Sequence, residues 1–120
     1  MFVAHESDCR VYHLPGRDWF YLIGPDNSDT QNLTFGLAEF PAGSQPAAHT
    51  HDLQEEIIFI LSGQGRFITP EREEALTPGT AVFIPPGLEH RLAVEGDEPL
   101  KLVTVFSPPV TPGAYDPKRA

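Results

Sequence analysis

Residues 43–63, GSQPAAHTHDLQEEIIFILSG, decide how this chain is read. Their second half, Ile57-Ile58-Phe59-Ile60-Leu61, is β-branched and aromatic and stops at the Ser62-Gly63 turn, so it reads as a strand. In the first half His49 and His51 stand two apart. Side chains of an extended segment alternate faces, so both imidazoles point the same way. Glu56 opens the strand after the polar connection 52–55. If the two segments fold back as a hairpin, its carboxylate returns beside the histidines. That would make half of a metal site, which the distant His90 would complete.

Outward from this stretch, proline and glycine set the architecture. Thirteen prolines and ten glycines fall in 120 residues, and the longest stretch free of both is 47–62, whose second half favours strand. Long helices have no room, and an all-β chain with many turns is expected. Strands are predicted at 11–14, 19–23, 33–40, 57–61, 65–69, 80–84, 89–94 and 100–106, with 70–76 a charged excursion. Many short strands split by turns point to a sandwich, jelly roll or barrel. A chain of this length makes one domain, 1–120, burying about two-thirds of its unfolded surface. The motif-bearing core spans about 33–106. The tail 107–120 carries four prolines, so it is expected to run over the surface, docked on its own domain or used as a lid or strap anchored by Tyr115.

Charge narrows the partners. With 17 acidic against 8 basic side chains the net charge is −9, and no basic cluster exceeds Lys118-Arg119. Neither nucleic acid nor an anionic membrane is an expected partner. The acidic runs 71–74 and 95–98 read as solvated loops. Cys9 is the sole cysteine, so no intrachain disulfide forms, and an inert thiol is expected. Residues 1–8 lack the plan of a signal peptide, and the longest apolar run, 57–61, is far below the roughly 20 residues that span a bilayer. A soluble, cytoplasmic protein is expected.

The second chemical segment is 79–94, GTAVFIPPGLEHRLAV. His90 follows a rigid Pro-Pro-Gly turn and opens an alternating strand in which His90, Leu92 and Val94 share a face. The two segments share a spacing. The first has Gly43, five residues, His49-x-His51, four residues, Glu56, six residues, Gly63. The second has Gly79, five residues, Pro85-x-Gly87, two residues, His90. This double pattern resembles the two motifs of the cupin family.

The resemblance implies a small jelly-roll β-barrel, the double-stranded β-helix, holding a divalent metal through His49, His51, Glu56 and His90. The six-residue gap to Gly63 picks Glu56 over Glu55. One position departs from the pattern, since Val94 stands where the family usually has asparagine. Three neutral imidazoles and one carboxylate suit Fe, Mn, Ni or Zn, and a metal preferring six ligands keeps two positions for substrate. Proton competition at the histidines is expected to weaken binding below about pH 6. Ile58, Ile60, Val82, Ile84 and Leu92 should line an apolar interior, while Trp19, Phe20 and Tyr21 pack the sheet. Arg66 is the candidate contact for a substrate carboxylate; Arg91 should face away, and His5 and His13 lie outside the motifs. The implied function is a metal-dependent enzyme acting on a small carboxylate, enediol or dicarbonyl by dioxygenase or decarboxylase/lyase chemistry, with isomerase chemistry also open. The alternative is a non-catalytic binding module for a sugar or small organic acid. A homodimer is implied by the resemblance as well.

Overall fold

Proline and glycine cut the chain into pieces too short for anything but strands, and each piece is patterned for a sheet with one dry face. The computed structural model describes residues 1–111, and among them the regular elements are nine strands: β1 (Arg10–Leu14), β2 (Arg17–Ile23), β3 (Thr34–Phe40), β4 (Glu55–Ser62), β5 (Gln64–Ile68), β6 (Glu73–Leu76), β7 (Ala81–Ile84), β8 (Arg91–Glu95) and β9 (Leu100–Ser107). All pair antiparallel, six in one sheet ordered β1-β2-β3-β9-β4-β7 and three in another ordered β6-β5-β8. The long step from β3 to β9 and β4 is the crossover of a jelly roll.

Alternation sorts the faces. Along β9, Leu100, Leu102, Thr104 and Phe106 turn inward and are buried, while Lys101, Val103 and Val105 turn outward. Trp19, Ala38, Ile58, Ile60, Ile84, Leu92 and Phe106 fill the space between the sheets. Val82 is partly buried against that core, and Phe20 turns to the opposite face of β2 from Trp19 and Tyr21. Val110 extends the core past β9: its N–H donates to Thr34 Oγ1 at 3.0 Å and its carbonyl accepts from the same hydroxyl at 3.2 Å. The start of the tail therefore docks on its own domain, while the lid or strap with Tyr115 lies outside the described residues.

Two expectations change. Residues 73–76 form strand β6 rather than a charged loop, because Leu76 is fully buried and ties the segment to β5. The hairpin between the histidine segment and β4 does not form either. His49 instead bridges His90, with mutual backbone hydrogen bonds of 2.9 and 3.0 Å, and Gly87 N–H donates to the His51 carbonyl at 2.9 Å. The first motif thus pairs with the second, and Glu56 reaches the histidines from a different neighbour, β4.

Candidate metal centre

The backbone bridge between His49 and His90 sets two imidazoles side by side, with ring centroids 4.3 Å apart. His51, two residues on, keeps to the same face, and one ring nitrogen from each of His49, His51 and His90 lies within 4.8 Å of the others. Glu56 is inward on β4, where Ile84 of β7 and Phe106 of β9 flank it. Its Oε1 stands 3.5 Å from His51 Nε2 and 3.8 Å from His90 Nε2. His51, Glu56 and His90 are buried; His49 is only partly so and forms the rim.

The protonation pattern follows from burial. Desolvation comes first for every member, because a charged form loses water that apolar neighbours cannot replace. It pushes His49 down to about 3, helped by the nearby His90, His51 and Arg17, and His51 down to about 4, helped by His90 and Arg17. His90 is lowered by the same cause. Glu56 moves the other way, up to about 8, with Arg17 only partly opposing its desolvation. The metal-free cluster at neutral pH therefore holds neutral imidazoles and a protonated carboxyl.

These residues fit a divalent metal. Glu56 Oε1 is buried with no hydrogen-bond partner, a costly state for a carboxyl oxygen unless something else satisfies it. His90 Nδ1 lies 2.9 Å from the Leu88 carbonyl, which can only accept. The proton is therefore on Nδ1 and the Nε2 lone pair faces the cluster, the arrangement that orients a metal-ligating imidazole. Phe67 stacks on the His90 ring at 5.6 Å and 15°, and Phe106 meets His51 edge-on at 5.1 Å. Both aromatics hold the rings against rotation.

A cavity of about 30 Å³ opens beside the cluster. Its polar walls are Arg17, His49, Glu56, His90 and Thr104, and the rest is apolar, including Ile58, Ile84, Leu92 and Leu102. Thr104 accepts a hydrogen bond from Trp19 Nε1 at 3.2 Å. Arg66, the expected substrate contact, is placed elsewhere. It alternates with the inward Gly65 and Phe67, so it points out of the sheet, where it meets Glu73 at 3.5 Å. Sequence reasoning missed Arg17, which is 5% exposed, and Thr104. A signal existed: Arg17 shares a strand face with Trp19 and Tyr21, but the predicted strand began at Trp19. At the departure from the family pattern, Val94 is buried and its N–H donates to the Ser44 carbonyl at 2.9 Å.

An all-β jelly roll whose interior gathers three histidines and a buried carboxyl defines a class of small barrels with a candidate metal site. Within that class the chain belongs to the cupin domain family, whose profile matches residues 36–106. It is 33% identical over 88 residues to the uncharacterized protein MJ1618 of Methanocaldococcus jannaschii, covering 73% of this chain and 70% of that one. It is 24% identical over 86 residues to an oxalate-binding protein of Thermotoga maritima, covering 72% and 71%. Among solved structures it is similar to ectoine synthase from P. lautus, with a TM-score of 0.83 at 17% identity over 95% of this chain and 83% of that one. Among the described residues no helix is long and apolar enough to cross a membrane.

Proposed function

We propose that this chain is a metal-dependent cupin enzyme acting on a small oxygenated molecule, a carboxylate, enediol or dicarbonyl, by decarboxylase/lyase or dioxygenase chemistry. The observation that carries the reading is the convergence of His49, His51 and His90 on one point beside the buried, unsatisfied Glu56 oxygen. These four residues would hold the ion, and a divalent Fe, Mn, Ni or Zn centre, when bound, supplies Lewis-acid polarisation of an oxygen ligand. The chain's own groups do the rest. The Leu88 carbonyl holds the His90 proton on Nδ1, Glu56 gives up its carboxyl proton as it becomes a ligand, and the apolar walls keep bulk water away.

Elemental analysis of protein purified without added metal or chelator tests the reading, alongside the double variant His49→Ala, His90→Ala. Near-stoichiometric metal that vanishes in the variant, together with turnover of a short carboxylate or dicarbonyl, is the expected result. Wild-type protein that neither contains nor takes up metal would sink it. A non-catalytic binding module is the second reading, favoured by the binding-protein name of the Thermotoga maritima relative. It requires saturable ligand binding with no product under any redox condition.

The reading includes a homodimer, supported by the outer face of the larger sheet. Phe35, Val105, Ile57 and Phe83 form a direct cross-strand row over β3, β9, β4 and β7, and Phe59 and Leu61 extend it. At roughly 200 Å² per large side chain, their exposed fractions leave about 450 Å² of apolar surface on this face. Pairing two such faces, with Val103 and the rim included, approaches the roughly 1,200 Å² at which specific interfaces begin. On a chain of net charge −9 this apolar row is where two copies can approach with the least repulsion.

A further inference from the structure

Phe106 is the last inward residue of β9, yet its ring is fully buried. A side chain at the end of a strand has one flank that its own sheet does not cover, so a segment beyond the sheet has to cover it. Residues 108–110 are that segment, and Val110, at 2% exposure, belongs to the same core cluster as Phe106. Two side chains fasten it, one from each strand that flanks β9. Thr34 opens β3, and its buried hydroxyl takes the Val110 N–H and donates to the Val110 carbonyl. Gln54 immediately precedes β4, and its Nε2 donates to the Pro109 carbonyl at 3.3 Å.

Both fasteners also adjoin the candidate ligands. Thr34 stands directly opposite Phe106 in the β3–β9 pairing, and Phe106 stands directly opposite Glu56 in the β9–β4 pairing. Thr34, Phe106 and Glu56 therefore form one inward row, and the Phe106 ring meets His51 edge-on at 5.1 Å. Gln54 lies in the connection between His51 and Glu56, whose other members, Asp52, Leu53 and Glu55, are exposed. Metal ligands have to be held to within about 0.5 Å by what stands behind them. A connection so exposed does not hold His51 and Glu56 to that tolerance by itself. The fastened segment gives it a backing on both sides of β9.

We propose that residues 108–110, with Thr34 and Gln54, form a clasp that positions His51 and Glu56 for the ion, and that Thr34 is its central positioning residue. The proposal rests on the metal-site reading above and adds to it a dependence on a segment that contributes no ligand. The coupling runs both ways: an ion that draws His51 and Glu56 together tightens the clasp, and an open clasp lowers affinity by the same factor.

Calorimetric titration of the full-length protein with Mn(II) at fixed pH tests the first direction. Thr34→Val removes the hydroxyl at nearly the same shape and should weaken Mn(II) binding by about tenfold, the lower end of what partners behind a metal ligand contribute. Thr34→Ser keeps the hydroxyl and should stay within about threefold of wild type. Gly63→Ala, strained at the opposite end of β4 from Glu56, loses stability without touching the clasp and should keep the wild-type affinity. Hydrogen exchange tests the reverse direction. Pro108 and Pro109 carry no N–H, so residues 108–111 report the Val110 and Thr111 amides alone, and their exchange in wild type should slow by about tenfold on Mn(II) loading.

A folded Thr34→Val with wild-type affinity would overturn the proposal, as would a Thr34→Ser as weak as Thr34→Val. A Gly63→Ala weakened to the same extent would overturn it too, since general loosening would then explain the loss. Should Thr34→Val fail to fold, the exchange measurement on wild type is sufficient: protection of residues 108–111 that Mn(II) leaves unchanged sinks the clasp. Wild type that takes up no Mn(II) would instead remove the metal reading, and this proposal with it.

Discussion

Glu56 is the residue on which the pH behaviour of the site turns. The sequence suggested that protons compete with metal below about pH 6, at the histidines. Burial changes both the group and the range. With His49 near 3 and His51 near 4, the imidazoles stay neutral through mildly acid solution, whereas Glu56 near 8 is protonated at neutrality. Metal uptake at pH 7 should therefore release about one proton per ion, read from calorimetry in buffers of different ionisation enthalpy, and affinity should rise up to about pH 8. The same shifts set the stability of the metal-free protein. Glu56 has a folded value above its unfolded 4.5, so its contribution is fully present below 4.5 and is lost as pH rises through about 8. His49 and His51 have folded values below 6.5, so theirs is present above 6.5 and lost as pH falls toward 4 and 3. Urea denaturation of the metal-free protein should find stability falling on both sides of a maximum between about pH 5 and 7; a monotonic rise to pH 9 would contradict the Glu56 assignment. At this scale the four residues that the motif spacing singled out, scattered over 42 positions, do lie together. The inward face of Arg17 was legible only from its alternation with Trp19 and Tyr21, and its place beside the cluster was not, because no motif spacing ties a residue at the mouth of β2 to histidines more than 30 positions later.

Among the elements, the strands with clean alternation were readable and the others were not. β9 and β4 bury alternate residues along their length, so composition and period agreed. β6 carries only one buried residue, Leu76, in Glu73-Glu74-Ala75-Leu76, and its pairing to β5 is invisible to a periodicity argument. The histidine segment looked like a hairpin arm because its sequence neighbour was a strong strand; its actual partner is His90, 41 positions on, a choice made by tertiary contact. The turn joining β4 to β5 offers a test. Gly63 sits at φ +85°, and a Cβ there would run into the Pro99 carbonyl oxygen and stand 2.8 Å from Leu100 Cα, both backbone. Neither obstacle can rotate away. Gly63→Ala should cost about 3 kcal/mol and lower the melting temperature by roughly 10 °C. A loss under about 1 kcal/mol would mean that the β4–β5 connection relaxes far more than its packing suggests.

For the whole molecule, the outer apolar face is the surface proposed for association, and the inner cluster is the point proposed for cohesion. Phe83 is 57% exposed at the centre of no core, yet it stands opposite Ile57 in a continuous apolar row. If the chain pairs through this face as proposed, Phe83→Asp should make it monomeric in sedimentation or light scattering while leaving metal content unchanged; wild type that is monomeric at micromolar concentration would remove the interface. The fold class was legible at this scale because proline and glycine forbid long helices, whereas the apolar outer face was not, since Phe59 and Leu61 looked like ordinary strand residues. The origin of the proposed ligands has a further consequence. Glu56 belongs to the six-stranded sheet, while His90 leads directly into β8 of the three-stranded one. An ion held by both would act as a rivet between the two sheets. Amide hydrogens of β5, β6 and β8 should then exchange together with those of β3, β4 and β9 when metal is present. After chelation the smaller sheet should open first, so that the order in which the molecule comes apart is written by a single ion.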